Sequence, residues 1–221
     1  MSRFVLIVAG GIGSRMRSNQ AKQFLSVKGL PLMWWTLRRF REAVPDAQLS
    51  IVLNETLFDE FRELEDKYGE SGAVSLIKGG DKRFHSVLNG LLTFPDEGIV
   101  AIHDAVRPFP SSTMIQNCFQ TAAIHGSAIP VIPLTDSIRK VSTDGTSLSV
   151  DRSDYLTVQT PQCFDLALLK PAFAVDYSPN FTDDASVFEA AGNKIHLCEG
   201  DQMNIKITTP EDLIIARALS I

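Results

Sequence analysis

Short runs of apolar, β-branched residues recur along the chain, and stretches with helical spacing separate them. Phe4 to Ala9, Leu49 to Leu53, Val74 to Ile77 and Ile99 to His103 read as buried strands. Pro31 opens a helical stretch carrying Leu32, Trp34, Trp35, Leu37 and Phe40, and Phe58, Phe61 and Leu64 mark another. Further helix starts lie near Arg83, Ser111, Asp165, Thr182 and Thr209. This alternation predicts an α/β fold with a mostly parallel sheet between layers of helices, whose ligands bind beyond the carboxyl ends of the strands. With 221 residues, 44% of them hydrophobic, the chain is long enough to bury one full core, so a single domain over 1–221 is expected.

Two segments add detail. Thr209, Pro210, Glu211 and Asp212 form a helix-start signal, with a strand predicted over Asn204 to Thr208 before it. Residues 137–152 break the alternation: two polar extended runs flank Asp144-Gly145, which reads as a β-hairpin turn. A hairpin this polar has little core of its own, so it is expected to project as an arm and pack on a second subunit.

The net charge of -5 argues against broad nucleic-acid or membrane adhesion, so cations that serve an anionic ligand must gather locally. Cys118, Cys163 and Cys198 are widely spaced, with no zinc or disulfide pattern, and are read as reduced thiols. The first apolar run ends after about six residues, too short for a signal-peptide core or a membrane span, so a soluble cytoplasmic protein is expected.

The sharpest chemical signal follows the first strand. Gly10, Gly11 and Gly13 lie just before Arg15 and Lys22. Glycines let backbone N–H groups approach an anion, and the two cations can hold charge that builds at a phosphorus centre. A chance glycine-rich turn and a dinucleotide-binding loop are the competing readings; against the latter, Arg15 replaces the third small residue. Asp104 and Arg107 end a hydrophobic strand, and they suit a Mg2+ ligand and a phosphate clamp or else an ordinary surface ion pair. Gly79, Gly80, Asp81 and Ser86 form a turn able to read a pyrimidine edge, although Asp81 also suits helix capping. N-capping equally accounts for Thr182 and Thr209, and strand alternation for an exposed Lys206. His103 has no Ser or Cys partner and is left out of the chemistry.

Taken in order, Ala9-Gly10-Gly11-x-Gly13-x-Arg15-Met16, Lys22-Gln23, Gly79-Gly80-Asp81, His103-Asp104-Ala105-x-Arg107-Pro108, Thr160-Pro161-Gln162, Thr182-Asp183-Asp184-Ala185-Ser186 and Asn204-Ile205-Lys206 span nearly the whole chain. The set resembles the 2-C-methyl-D-erythritol 4-phosphate cytidylyltransferases. That resemblance implies a Rossmann-like three-layer nucleotidyltransferase fold, transfer of CMP from CTP to methylerythritol phosphate with release of pyrophosphate, Mg2+, and a homodimer held by the arm. It implies Arg15 and Lys22 at the α-phosphate, Asp104 on the metal, and Arg152 and Lys206 orienting the incoming phosphate. Ser137, Arg152, Arg107, Thr160 and Thr182 would surround the acceptor. Gly79, Gly80, Asp81 and Ser86 would recognise cytosine and ribose, with Ala9, Gly10, Gly11, Asp104 and Ala105 along the nucleotide.

Two departures, Val8-Ala9-Gly10-Gly11 in place of the frequent Pro-Ala-Ala-Gly and Ala21 in place of Pro before Lys22, bring the loop toward ribitol 5-phosphate cytidylyltransferases. Ribitol phosphate is therefore the alternative acceptor, and a nucleotide-binding regulator without catalysis the alternative class.

Overall fold

The computed structural model describes residues 1–9, 20–69 and 74–219. In chain order the elements are β1 (Arg3–Ala9), β2 (Ser26–Val27), β3 (Leu30–Pro31), α1 (Leu32–Ala43), β4 (Gln48–Leu53), α2 (Phe58–Tyr68), β5 (Val74–Lys78), α3 (Arg83–Leu91), β6 (Ile99–Asp104) and α4 (Ser112–His125). They continue with β7 (Ser127–Pro133), β8 (Arg139–Val141), β9 (Ser147–Ser149), β10 (Leu156–Val158), β11 (Gln162–Asp165), α5 (Leu166–Ala172), α6 (Asp184–Ala190), β12 (Leu197–Glu199) and α7 (Pro210–Leu219).

The main sheet runs β10-β7-β11-β6-β1-β4-β5, with β12 also paired to β7. Its half made of β6, β1, β4 and β5 is parallel, as the strand–helix alternation requires. β11 enters antiparallel between β6 and β7, and β10 is antiparallel to β7. The result is a mixed, mostly parallel sheet between flanking helices.

Residue alternation along the strands sorts the core into two layers. Val5, Ile7, Leu49, Ile51 and Ala101 face α1 and α4 through Met33, Leu37, Phe40, Ile115 and Phe119. Phe4, Leu6, Val52, Val100 and Ile102 face α3, α5 and α6 through Phe84, Val87, Leu169 and Phe188. Helix α3 approaches β1 closely enough that a Cβ on Gly90 would lie 2.4 Å from Leu6 Cδ2, so any larger residue there would have to displace the buried Leu6 side chain.

The hairpin forms where expected, with β8 antiparallel to β9 in the register Arg139↔Ser149 and Val141↔Ser147. The Asp144 carboxylate accepts from the Thr146 N–H at 2.9 Å, and Gly145 takes the left-handed conformation at φ 83. The predicted strand over Asn204 to Thr208 is not one. Its backbone is bound in other ways: Asn204 N–H donates to Asp201 O and Ile205 N–H to Met203 O within the loop, and Ile207 N–H donates to the distant Val106 O. Helix α6 is capped by Asp183 rather than Thr182, in a reciprocal box with Ser186, whereas the Thr209 hydroxyl does accept from Asp212 N–H at the start of α7. Nor does Asp81 cap α3, whose N-cap position is Lys82 without a side-chain bond.

Candidate active site at the carboxyl end of the sheet

Parallel pairing brings the ends of four strands to one edge. Ala9 lies beside Leu53 and Val8 beside Asp104, while β5 ends at Lys78 next to Leu53. Ala105 N–H donates to Val8 O at 3.1 Å, which fixes the exit of β6 against β1. Gly10, Gly11, Gly13 and Arg15 lie outside the described residues. The next segment returns to the same edge. Gln23 is buried in a short 3-10 turn over Lys22–Phe24, and its amide donates to Ala9 O at 3.3 Å, so half-buried Lys22 is held near the end of β1.

Asp104 is the focus of charge. It is 7% exposed, with Lys206 Nζ 2.8 Å and Arg107 Nε 3.7 Å from Oδ2, and Arg83 Nε 3.6 Å from Oδ1. Burial pushes its carboxyl pKa upward, but Arg83, Lys206 and Arg107 together hold it well below the usual carboxylate range. The group is therefore ionised throughout the physiological range. The surface-pair reading of Asp104 and Arg107 fails, because the pair is buried and Lys206 joins it from a distant segment.

A hydrogen-bond chain behind Asp104 orients it. Asp104 N–H donates to Thr160 Oγ1 at 3.1 Å, that hydroxyl lies 3.1 Å from His103 Nδ1, and His103 Nε2 lies 2.9 Å from Arg107 O. Since a carbonyl only accepts, Nε2 carries the proton and Nδ1 accepts from Thr160. Burial pushes the His103 pKa down to about 4, so the ring is neutral and serves as a brace. Of the sequence candidates, Thr160 is thus beside Asp104 with its hydroxyl turned inward.

Lys206 reaches Asp104 because its loop is tied down residue by residue. The Asn204 amide donates to Thr160 O at 2.8 Å, Arg107 Nη1 donates to Asn204 O at 2.8 Å, and Gln159 exchanges bonds of 2.8 and 3.0 Å with the backbone of Asp201. Gln159 and Asn204 are fully enclosed and belong to the site's framework.

On the other side, Gly79 and Gly80 follow β5. Gly79 N–H donates to Leu53 O at 2.8 Å and Gly80 N–H to the buried Ser86 hydroxyl at 3.0 Å. A Cβ on Gly80 would sit 2.4 Å from His85 Cβ, so the turn needs glycine there, and it leaves Asp81 exposed. Sequence reading treated Arg83 only as a helix start. The structure turns its guanidinium toward Asp104 and pairs Nη1 and Nη2 with the two oxygens of buried Asp184, each at 2.7 Å.

The remaining candidates stand farther out. Ser137, Arg152 and Thr182 are exposed, and Arg152 Nη1 donates to Thr135 O at the base of the arm. Their setting is the exposed arm and the segment before α6, while the Asp104 cluster gathers Ala105, Arg107, Thr160 and Lys206.

Comparison with known proteins identifies the family. The model of the IspD family, 2-C-methyl-D-erythritol 4-phosphate cytidylyltransferase, matches residues 4–220. A Bacteroides fragilis protein of that name is 46% identical over 99% of this chain and 100% of its own length, and one from Bacteroides thetaiotaomicron is 44% identical over the same shares. Among solved structures, the cytidylyltransferase of that name from Thermus thermophilus superposes with a TM-score of 0.78 at 30% identity, covering 99% of this chain and 98% of that one. The 4-diphosphocytidyl-2C-methyl-D-erythritol synthase of Anaerococcus prevotii reaches a TM-score of 0.83 at 26% identity, covering 98% and 95%. With a family match over nearly every residue and full-length relatives well above 40% identity, the chain belongs to the 2-C-methyl-D-erythritol 4-phosphate cytidylyltransferases.

Proposed function

We propose that the cluster around Asp104 carries out the family's reaction, in which a phosphate oxygen of 2-C-methyl-D-erythritol 4-phosphate attacks the α-phosphorus of CTP and pyrophosphate leaves. The observation that carries this reading is the convergence of Arg83, Arg107 and Lys206 on one buried carboxylate at the end of β6. An acceptor monoester has a second pKa of about 6, so at neutral pH it is already an anionic nucleophile and needs no side-chain base. The obstacle is repulsion between that anion and a triphosphate, which makes positioning and charge neutralisation the main tasks. One cation about 4 Å from a phosphate oxygen gains roughly 4 kcal/mol at an effective dielectric near 20, before desolvation is counted. Several cations are therefore needed.

In this scheme Lys22, held at the end of β1, and Arg15 stabilise charge at the α-phosphate and on the leaving group. Lys206 and Arg152 orient the acceptor phosphate, with Arg107, Ser137 and Thr182 around it and Thr160 behind them, its hydroxyl engaged by Asp104 N–H and His103. The turn at Gly79, Gly80, Asp81 and Ser86 receives the cytidine, with Ala9, Gly10, Gly11 and Ala105 along the nucleotide. Asp104 is the ionised carboxylate that would hold Mg2+, a hard ion that combines one or two carboxylates with substrate phosphates, and the ion would take over the oxygen that now pairs with Lys206. When bound there, the ion supplies further neutralisation of the triphosphate.

The reading extends to a cytoplasmic homodimer joined through the arm. Val141 and Leu148, on opposite faces of the arm, are 70% and 69% exposed, and Leu156 and Val158 on β10 are 44% and 41% exposed. A partner gripped by the arm would cover such side chains and bring its own arm to this site. Among the described residues no helix is long and apolar enough to cross a membrane.

A pyrophosphate-release assay crossing CTP, UTP, ATP and GTP with methylerythritol and ribitol phosphates tests the reading. Release is expected with CTP and methylerythritol phosphate; preference for ribitol phosphate or another nucleotide would overturn the substrate assignment.

A further inference from the structure

Arg83 uses all three nitrogens of its guanidinium at once. Nη1 and Nη2 donate to both oxygens of Asp184 at 2.7 Å, and Nε faces Asp104 Oδ1 at 3.6 Å. The residue opens α3, directly after the turn that contains Gly79 and Gly80 and three residues before Ser86. Asp184 opens α6, directly after Thr182 and Asp183. We propose that Arg83, clamped by Asp184, is a positioning residue that couples the nucleotide side of the site to the acceptor side by fixing Asp104 between them.

Both ends of the clamp are rigid. Asp184 is 1% exposed, and an enclosed carboxylate at this position requires a bidentate partner. The neighbouring Asp183 accepts from the Gln162 amide at 2.7 Å, while Gln162 Oε1 accepts from Ala185 N–H at 3.0 Å, so the start of α6 is fastened to β11. At the other end Ser86 holds Gly80, and Leu53 holds Gly79. A shift of the cytidine turn must therefore move either Arg83 or α6. Arginine suits the place because its planar fork holds the two oxygens of one carboxylate in parallel while a separate nitrogen faces another, whereas the three donors of a lysine ammonium all radiate from one nitrogen. A pair that served stability alone would need only the two bonds to Asp184. The remaining nitrogen, Nε, faces at 3.6 Å the carboxylate that pairs with Lys206, and this charge contact is what assigns Arg83 a part in the reaction.

The test compares Arg83→Lys, Asp184→Asn and the double variant, with kcat from pyrophosphate release and CTP affinity from titration calorimetry. Misplacing a reacting group by about 1 Å costs on the order of 100-fold, so each single variant is expected to lose roughly 10- to 100-fold in kcat with the Kd for CTP changed less than about threefold. The double variant should be no slower than the slower single one, because both changes release the same clamp. Wild-type kcat in Arg83→Lys, losses that multiply, or loss of CTP binding in Arg83→Lys would each overturn the inference, the last by marking the residue as support for the fold alone. The inference rests on the proposed reaction. A wild-type protein without turnover would sink both, whereas wild-type turnover with unaffected variants would sink the clamp only.

Discussion

Moving the protein from pH 7 to pH 5 in metal-free buffer should cost stability through the buried His103. The ring is fully enclosed between Thr160 and the Arg107 carbonyl, and burial lowers its pKa from 6.5 to about 4. Between those values the unfolded chain binds a proton that the folded chain refuses. A lowered histidine pKa therefore gives stability that is present above about pH 6.5 and is lost as the pH falls toward 4. Linkage between the two pKa values gives a loss of about 2 kcal/mol between pH 7 and pH 5. Urea unfolding followed by tryptophan fluorescence at both pH values, on the wild type and on His103→Gln, isolates this contribution. The variant will be less stable at pH 7, but its loss on acidification should be smaller than the wild type's by about 2 kcal/mol. Equal pH dependence in the two proteins, or a His103 ring that titrates near 6.5 by NMR, would refute the argument that this ring is a neutral brace.

Further outcomes follow from the same geometry. Lys22→Ala should lower kcat by about 100-fold while leaving the Kd for CTP within a few-fold, since the side chain is assigned to charge that develops during transfer; unchanged turnover would remove Lys22 from the reaction. Gly80→Ala should weaken CTP binding at least tenfold, because the added Cβ would lie 2.4 Å from His85 Cβ and must open the turn, and normal affinity by calorimetry would show that the turn does not hold the nucleotide. Leu148→Asp, which charges a leucine 69% exposed in β9 of the arm, should yield a monomer in sedimentation and weaken use of the acceptor. A dimer of wild-type strength would place the interface elsewhere.

The parallel strands, the hairpin and the charged cluster are visible in the sequence because each rests on short-range chemistry. β-Branched runs mark β1, β4 and β6, Asp144-Gly145 marks the turn of the arm, and Asp104 with Arg107 sits at a strand end where α/β sheets bind ligands. What escaped detection depends on distance or on competition. Arg83 and Asp184 meet across 101 residues of chain, and no periodicity signals such a pair. Asn204 to Thr208 has strand-like alternation, but its N–H groups find partners in Asp201, Met203 and Val106, and tertiary bonding overrides propensity. At α6 both Thr182 and Asp183 suit a cap, and the choice falls to Asp183 because Ser186 lies at the spacing that closes the box. Pro130 disguises β7, which pairs with the antiparallel β10 and β11 and with the short β12 rather than with the first four parallel strands.

The account's core is that fixed positive charge, with no proton-abstracting side chain, lets one phosphate ester attack another. The dependence of kcat/KM for methylerythritol phosphate on pH from 5 to 9 addresses this most directly. A single ionisation near pH 6, that of the acceptor itself, with a plateau above it is the predicted profile. A second required deprotonation above pH 7 would reveal a general base and contradict the mechanism.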